Sequence, residues 1–221
     1  MNNLQKRILT SIITFPLFIF FIIQGGHFLL SFLFIVFLAA NYELFSIFNR
    51  KIIILFLDLI LILSLFSIYA LRGDESNFYL LRVQTSFILL LWVIILCVCS
   101  DVGGYVFGKN IGGKKLTKIS PNKTRSGSIG SFIFSIFPII IINLLNIEHI
   151  QIELNFINIL FSLFISLICQ LGDLFFSYFK RLNNKKNTGI LLPGHGGLLD
   201  RIDGLIIVLP IVYLIKIFGI Y

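Results

Sequence analysis

Charged residues are the first thing that this sequence lacks. Only 13% of its 221 residues are Asp, Glu, Lys or Arg, while 57% are hydrophobic. A typical soluble domain has about 25% charged residues, so this chain cannot cover a water-facing surface. The composition therefore excludes a soluble globular protein. It predicts an all-α fold, a polytopic integral membrane helix bundle, because helices satisfy their own backbone hydrogen bonds in lipid.

Cysteine and histidine are also rare, with three residues of each. Cys97, Cys99 and Cys169 all lie in apolar runs, and they have no metal-ligand spacing with the histidines. Disulfides are not expected where cysteines are buried in lipid. The shortage excludes a disulfide framework and a Cys–His zinc site, so we interpret the cysteines as packing residues.

Acidic residues are scarce relative to basic ones. The chain has 10 Asp and Glu against 18 Lys and Arg, which gives a formal net charge of +8. In a soluble protein this excess would suggest a nucleic-acid partner. Here the cations flank apolar spans, so topology and anionic lipid explain them, and no nucleic-acid partner is expected.

Long apolar runs are what the sequence has in abundance. A membrane-spanning helix needs roughly 20 apolar residues, and seven runs are candidates: about 8–23, 28–48, 52–71, 80–100 (with an extension to 108 left open), 129–146, 154–176 and 204–220. With the N-terminus on the inner side, most of the 18 Lys and Arg residues fall in inner segments. The positive-inside rule therefore predicts that the N-terminus and the polar segments 101–127 and 177–203 are cytoplasmic.

Both polar segments are glycine-rich and too short to fold alone. We therefore predict a single integral membrane domain over residues 1–221. Its N-terminal spans occupy 1–100, and the candidate chemistry lies in the C-terminal half, 101–221.

Four carboxylates lie at the predicted inner ends of spans: Asp101, Asp173, Asp200 and Asp203. A bare carboxylate in a membrane is energetically costly, so it is usually paired, bound to a metal or facing water. Asp200 and Asp203 are three residues apart, so on a helix they would share one face and could share a cation. The simpler interpretation of this pair is an N-cap with a companion.

Two further features have competing interpretations. Asp173 shares a helical face with Ser177 and Lys180, four and seven residues later, as half of a metal–phosphate site would require. The alternative is an intrahelical pair of Asp173 with Lys180. Glu43 and Asp58 are further intramembrane acids, and each has either a functional role or a partner on a neighbouring helix.

Other polar groups could contact phosphate. Lys123 follows Ser120 in a turn whose amides, hydroxyls and ammonium could cradle phosphate oxygens. His195 lies between glycines and is either a substrate contact or structural. Close approach of a ligand or of another helix would each explain Gly103, Gly104 and Gly108.

The segment from Ser177 to Asp203 closely resembles the signature of the phosphatidate cytidylyltransferases, the CDP-diacylglycerol synthases. The positions in register are Ser177, Phe179, Lys180, Arg181, Lys186, Gly189, Leu192, Pro193, His195, Gly196, Gly197, Leu198, Asp200, Arg201, Ile202 and Asp203. The one departure within this segment is Asn187, where the family has Asp. Upstream, Ser126 stands where many members have an acid.

This resemblance implies a Mg²⁺-dependent transfer of CMP from CTP to phosphatidic acid, which gives CDP-diacylglycerol and diphosphate for phospholipid biosynthesis. It implies a catalytic group of Lys180, Arg181, Asp200 and Asp203. The implied substrate-binding residues are Ser120, Lys123, Ser177, His195 and Arg201. The implied ligands of Mg²⁺, with a second cation left open, are Asp101, Asp173, Asp200 and Asp203.

The same resemblance implies a protein of a bacterial inner membrane with cytoplasmic active-site loops, and it suggests a homodimer. Alternatives stay open at this stage. One is an enzyme that uses CTP on another lipid phosphate, and a second is a CTP-dependent lipid kinase. A third is a small membrane transporter, and a fourth is a homologue inactivated by Asn187 and Ser126.

Overall fold

The structure, a computed structural model, describes residues 3–48, 50–73, 85–145, 152–185, 187–189, 191 and 196–219. Within these ranges the chain forms seven α-helices: α1 (Asn3–Gln24), α2 (Gly26–Ile47), α3 (Lys51–Arg72), α4 (Thr85–Asn110), α5 (Arg125–Leu144), α6 (Phe156–Leu182) and α7 (Leu199–Ile217). Between Lys115 and Thr124 there is an isolated antiparallel bridge, and the described ranges contain no β-strand. The predicted all-α fold is therefore confirmed.

Five of these helices, α2 to α6, are long and apolar enough to cross a membrane. The apolar stretch of α1, Ile12–Gln24, is shorter, and α7 has Asp200, Arg201 and Asp203 in its first turns. The seven predicted runs each correspond to one helix. The helix count is thus matched, and the chain is an integral membrane protein.

Three helices reach further into the polar segments than the apolar runs suggest. The fourth span was predicted to end near residue 100 or to run on to 108, and α4 continues to Asn110, so the longer alternative holds. Likewise, α6 continues to Leu182, and α7 begins at Leu199 instead of near 204. The backbone hydrogen bonds of a helix form within the helix itself, so a helix can continue beyond the lipid into water. Hydropathy alone therefore does not mark where a helix ends. Rigid helix ends therefore carry most of the charged residues of interest.

The backbones of α4 and α5 touch along a row of glycines. A Cβ added at Gly130 would lie 2.6 Å from the carbonyl oxygen of Gly103, and one at Gly127 would lie 2.8 Å from that of Gly104. Small residues allow this approach between membrane helices. The structure thus shows helix packing at Gly103 and Gly104, while Gly104 and Gly108 also line a cavity, where close approach of a ligand stays a prediction.

Two apolar clusters hold the remaining helices. One surrounds the buried Trp92 of α4 and includes Ile165 of α6 and Val208 of α7. The other joins α2 and α3 to α6 and α7, with Leu44 and Phe176 among its members. Helix α7 contributes to both clusters, so it is fixed between α3 and α6.

Arg72 is the last residue of α3 and lies at the end of the bundle away from the first turn of α7. Its guanidinium donates to the carbonyl oxygens of Ile22 (3.1 Å) and Ile23 (2.8 Å), the last carbonyls of α1. It also lies 5.5 Å from the ring centroid of Phe87 in α4. These contacts satisfy carbonyls that a helix end leaves unpaired and join three helices.

We expect Gly103→Ala to lower the thermal unfolding midpoint in detergent. The added methyl group would overlap the carbonyl oxygen of Gly130 and lie 2.5 Å from Cβ of Phe134. Overpacking of this kind costs about 1–3 kcal/mol. Val102→Ala, at an exposed neighbouring position, is the matched control. Equal midpoints for the two variants would contradict the glycine contact.

Candidate active site

The two predicted polar segments meet at one cavity, where α4 and α6 end and α5 and α7 begin. Its volume is about 320 Å³. The charged residues that line it are Asp101, Asp173, Asp200, Asp203, Lys123 and Arg201. Both segments therefore contribute to a single charged cavity, although they lie far apart in the sequence.

Close contact between α6 and α7 brings the acids of these helices together. A Cβ added at Gly172 would lie 3.1 Å from both the carbonyl oxygen of Asp203 and Cα of Gly204. A Cβ at Gly204 would lie 2.6 Å from Sγ of Cys169. Since Asp173 directly follows Gly172, this contact places Asp173 and Asp203 at the same cavity.

Lys180 bridges α6 to the first turn of α7. Its Nζ lies 2.7 Å from Oδ1 of Asp200 and 3.7 Å from Oδ2 of Asp203, and the lysine side chain is only 9% exposed. The intrahelical pair of Lys180 with Asp173, which the sequence left open, is not what the structure shows. Asp173 instead pairs with Lys123 and accepts a 3.4 Å hydrogen bond from Ser177 Oγ.

Lys123 is positioned by the tight connection between α4 and α5. Leu116 N–H donates to the carbonyl oxygen of Lys123 (2.8 Å), and Lys123 N–H donates to that of Ser120 (3.1 Å). Thr124 caps α5, because its Oγ1 accepts from Gly127 N–H at 3.1 Å, as a threonine N-cap does. Lys123 therefore lies in a hydrogen-bonded turn directly before the N-cap of α5, and its ammonium pairs with Asp173.

Asp200 is held on both of its oxygens. Oδ1 accepts from Lys180, while Oδ2 accepts from Thr188 N–H (2.8 Å) and Gly197 N–H (3.1 Å). These two N–H groups belong to the chain that leads into α7, so Asp200 does not cap its own helix. The simple N-cap interpretation therefore does not describe it.

For Glu43 of α2 the sequence analysis left open a functional role or a partner on a neighbouring helix. It is buried, and its carboxylate accepts from Leu198 N–H (2.7 Å), Leu199 N–H (3.0 Å) and Thr188 Oγ1 (2.9 Å). The expected partner on a neighbouring helix is thus the start of α7 and the loop before it. An acid in an apolar run was the available signal, but nothing in the sequence indicated its partner.

A chain of polar side chains leads from the cavity into the bundle. Ser128 Oγ, at the cavity wall, donates to Gln170 Oε1 (2.6 Å), and Gln170 Nε2 donates to Ser166 Oγ (3.3 Å). Ser166 then shares a 2.8 Å hydrogen bond with Ser100. These residues were missed from the sequence, where isolated polar residues in apolar helices were the only sign of them.

Several predicted site residues do not line the cavity. Ser120 and Ser177 instead hydrogen bond to two residues that do line it: the carbonyl oxygen of Ser120 accepts from Lys123 N–H, and Ser177 Oγ donates to Asp173. Arg181 is exposed and donates to the carbonyl oxygens of Lys185 (3.0 Å) and Ile119 (3.4 Å). His195 lies outside the residues that the structure describes.

The two departures from the family pattern lie near the cavity. Asn187 is exposed, and its Cβ would be 3.7 Å from a Cβ added at Gly196, which in turn would lie 3.1 Å from Asp200 Oδ2. Ser126 hydrogen bonds to Thr124 Oγ1 (3.0 Å) and donates to the carbonyl oxygen of Gly112. It therefore helps to close the connection between α4 and α5.

The chemistry of the cavity fits a hard divalent cation, although no preformed cage is present. Among the described residues, no group of three or more His, Cys, Asp or Glu side chains is arranged to hold a metal ion. Two ammonium groups, of Lys123 and Lys180, lie against the carboxylates instead. Carboxylate oxygens are nevertheless the ligands that such cations prefer. The positions of the two ammonium groups show where the carboxylates stabilise positive charge.

These features define a class of protein: a helical membrane protein with a polar cavity, at one end of its bundle, built for charged ligands. Comparison with known proteins is more specific. The Cytidylyltransferase family matches residues 52–218. A phosphatidate cytidylyltransferase of Rickettsia bellii is 31% identical over 226 aligned positions, which cover 100% of this chain and 93% of that protein.

A second relative gives a shorter match. A phosphatidate cytidylyltransferase of Staphylococcus haemolyticus is 37% identical over 151 residues, which cover 67% of this chain and 52% of that protein. The chain therefore belongs to the Cytidylyltransferase family and is a nucleotidyltransferase. The resemblance found in the sequence is confirmed.

We expect Lys180→Met to destabilise the protein, because it leaves Asp200 and Asp203 without their cation. Loss of one partner of a buried ion pair costs roughly 3–5 kcal/mol, and thermal unfolding in detergent measures it. Lys185→Met, at an exposed position, is the matched control. The double variant Lys180→Met/Asp200→Asn should recover part of the loss. A wild-type unfolding midpoint for Lys180→Met would contradict the bridge.

Proposed function

We propose that this protein is a phosphatidate cytidylyltransferase that transfers CMP from CTP to phosphatidic acid and releases diphosphate. The observation that carries the proposal is the convergence of four aspartates with Lys123 and Arg201 at one cavity, where Lys180 pairs with Asp200 and Asp203. The names and overall similarity of the relatives support it. A volume of about 320 Å³ also falls within the ~300–1,000 Å³ typical of small-molecule sites.

The proposed reaction joins two anions, and the site residues suit that task. A phosphate oxygen of the lipid attacks the α-phosphorus of CTP, a new P–O bond forms, and the bond to diphosphate breaks. The attacking oxygen is already an anion, so the reaction needs charge neutralisation more than a strong general base. Lys123, Lys180 and Arg201 provide positive charge where these phosphates would meet. Arg181 is exposed and donates to Ile119 in the connection that carries Lys123, from where it can guide an incoming anion.

We assign Mg²⁺ as the cofactor, held by Asp101, Asp173, Asp200 and Asp203. When bound, it would neutralise phosphate charge and orient the triphosphate. The chain's own acids and lysines would then exchange partners, because Asp173 and Asp200 cannot serve a cation fully while each keeps its lysine. We leave a second cation open. Ser177 and Ser120 hold Asp173 and Lys123 in place, and His195 keeps its predicted role as a substrate contact.

We further propose that the cavity faces the cytoplasm and that the whole of residues 1–221 acts as one catalytic domain. The excess of Lys and Arg in the inner segments supports this orientation, and CTP would then enter from water while the lipid arrives from the inner leaflet. Contacts of Glu43 with the loop before α7 support a single domain, since the N-terminal spans reach the site. A homodimer stays a prediction from the resemblance.

The position of the label in CTP tests the reaction. We expect purified protein with Mg²⁺ and phosphatidic acid to move label from the α-phosphate of CTP into a lipid product that migrates as CDP-diacylglycerol. A CTP-dependent lipid kinase would instead move label from the γ-phosphate into lipid when given diacylglycerol. Labelling of lipid from neither position would contradict the proposal and favour a transporter or an inactive homologue.

We expect Asp200→Asn to reduce this Mg²⁺-dependent labelling by about 100-fold or more, because it removes a charged ligand and weakens the hold on Thr188 and Gly197. Insertion into the membrane should be intact. Glu153→Gln changes an exposed acid before α6, at the other end of the bundle, and serves as the control. Near-normal activity of Asp200→Asn would overturn the ligand assignment.

We expect Asn187→Asp to raise turnover a few-fold at limiting Mg²⁺. The new carboxylate would lie beside Gly196 and Asp200, where added negative charge favours a cation. Asn184→Asp, a nearby exposed position, is the control for a general charge effect. Equal turnover of Asn187→Asp and wild type would show that the departure at this position has no influence on the reaction.

A further inference from the structure

Glu43 takes part in this region from a distance, because it lies in a membrane span that precedes the signature segment 177–203 by more than 100 residues. Its side chain is enclosed, with the residue 1% exposed. Three hydrogen-bond donors converge on its two carboxylate oxygens, and all three come from the segment between Thr188 and Leu199. An acid buried in a membrane helix needs such partners, but these partners belong to the loop that carries the site.

Two glycines in the described part of this loop lie against the carboxylate. A Cβ added at Gly197 would lie 2.5 Å from Glu43 Oε2, and one added at Gly189 would lie 2.9 Å from Oε1. Gly189 therefore leaves space that the acid fills, and Gly197 leaves space that the acid shares with Oγ1 of Thr188. Gly189 and Gly197 are also signature positions, so the contact involves residues that the resemblance had left without a stated role.

Thr188 connects Glu43 to the aspartates of the cavity. Its hydroxyl donates to Glu43, while its backbone N–H donates to Asp200 Oδ2 at 2.8 Å. Leu199, the first residue of α7, donates its N–H to Glu43 and directly precedes Asp200. A shift of the Glu43 carboxylate would therefore move the loop and the first turn of α7 together, including Asp200 and Asp203.

A carboxylate is the group that this position requires. Two N–H groups and one O–H group need acceptors, and a carboxylate offers only acceptor oxygens. Glutamine at the same place would present its NH₂ group to at least one of these donors, which leaves that donor unpaired in a buried place. The substitution keeps the shape and hydrophilic character of the side chain while removing this complementarity.

We propose that Glu43 is a positioning residue, which clamps the loop before α7 and so sets the geometry at which Asp200 and Asp203 meet Mg²⁺ and CTP. This inference rests on the proposed function for the identity of the ligands, although the clamp itself does not. Residues that orient a metal ligand from behind typically change metal affinity or activity by about 10–100-fold. We therefore expect Glu43→Gln to raise both the Mg²⁺ concentration for half-maximal activity and KM for CTP by about tenfold.

The test combines kinetics with hydrogen–deuterium exchange of the intact protein in lipid nanodiscs. In Glu43→Gln, the peptide that covers residues 196–203 should exchange faster, whereas peptides from α4 and α5 should not change. Tyr42→Phe is the matched control, because Tyr42 is 71% exposed on the same turn of α2. Thr188→Val removes one of the three donors to Glu43, so it should change exchange and kinetics in the same direction by a smaller amount. Combined with Glu43→Gln it should add less than its single effect, because both substitutions affect the same hydrogen bond. Thr188→Ser should behave as wild type.

Each outcome decides the inference. Faster exchange confined to residues 196–203 together with a raised Mg²⁺ requirement supports it, even where the thermal unfolding midpoint falls by the amount that one unpaired buried donor costs. Unchanged exchange at residues 196–203 overturns the clamp. Faster exchange throughout the bundle with a lower midpoint also overturns it, because Glu43 would then stabilise the whole protein and not this loop in particular. Local loosening with wild-type kinetics overturns the link to the ligands. If the wild type does not use CTP, the proposed function fails while the exchange experiment still tests the clamp.

Discussion

The burial of negative charge at one end of a membrane bundle is the constraint on which the rest of this structure depends. Lipid cannot stabilise a carboxylate, so each acid requires a partner. The chain places the ammonium of Lys123 against Asp173 and that of Lys180 between Asp200 and Asp203. Each of these pairs joins two different elements. The interactions that neutralise the acids therefore also hold the α4–α5 connection, α6 and α7 together.

Such pairs can form only where the helices that carry them approach closely. Glycines permit this twice, at Gly103 and Gly130 between α4 and α5, and at Gly172 and Gly204 between α6 and α7. The close approach also brings Asp173 next to the first turn of α7. Packing and electrostatics are thus coupled, because a wider helix spacing would separate the acids from their lysines.

Helices and charged candidates could be predicted from the sequence, whereas their partners could not. Apolar runs locate the spans because a helix in lipid needs about 20 apolar residues, and scarce acids stand out among them. Lys180 shows the limit: the sequence offered Asp173 on the same helical face, but its partners are Asp200 and Asp203 on another helix. Glu43 is further away still, since its donors lie 145 to 156 residues along the chain.

The position of Glu43 has a consequence for what counts as the complete protein. The family model matches residues 52–218, and every aspartate of the cavity falls inside that stretch. Glu43 lies before it, yet its carboxylate holds the loop that leads to two of those aspartates. A fragment cut at the limits of the family match would therefore keep all the acids of the cavity and lose the acceptor that arranges them.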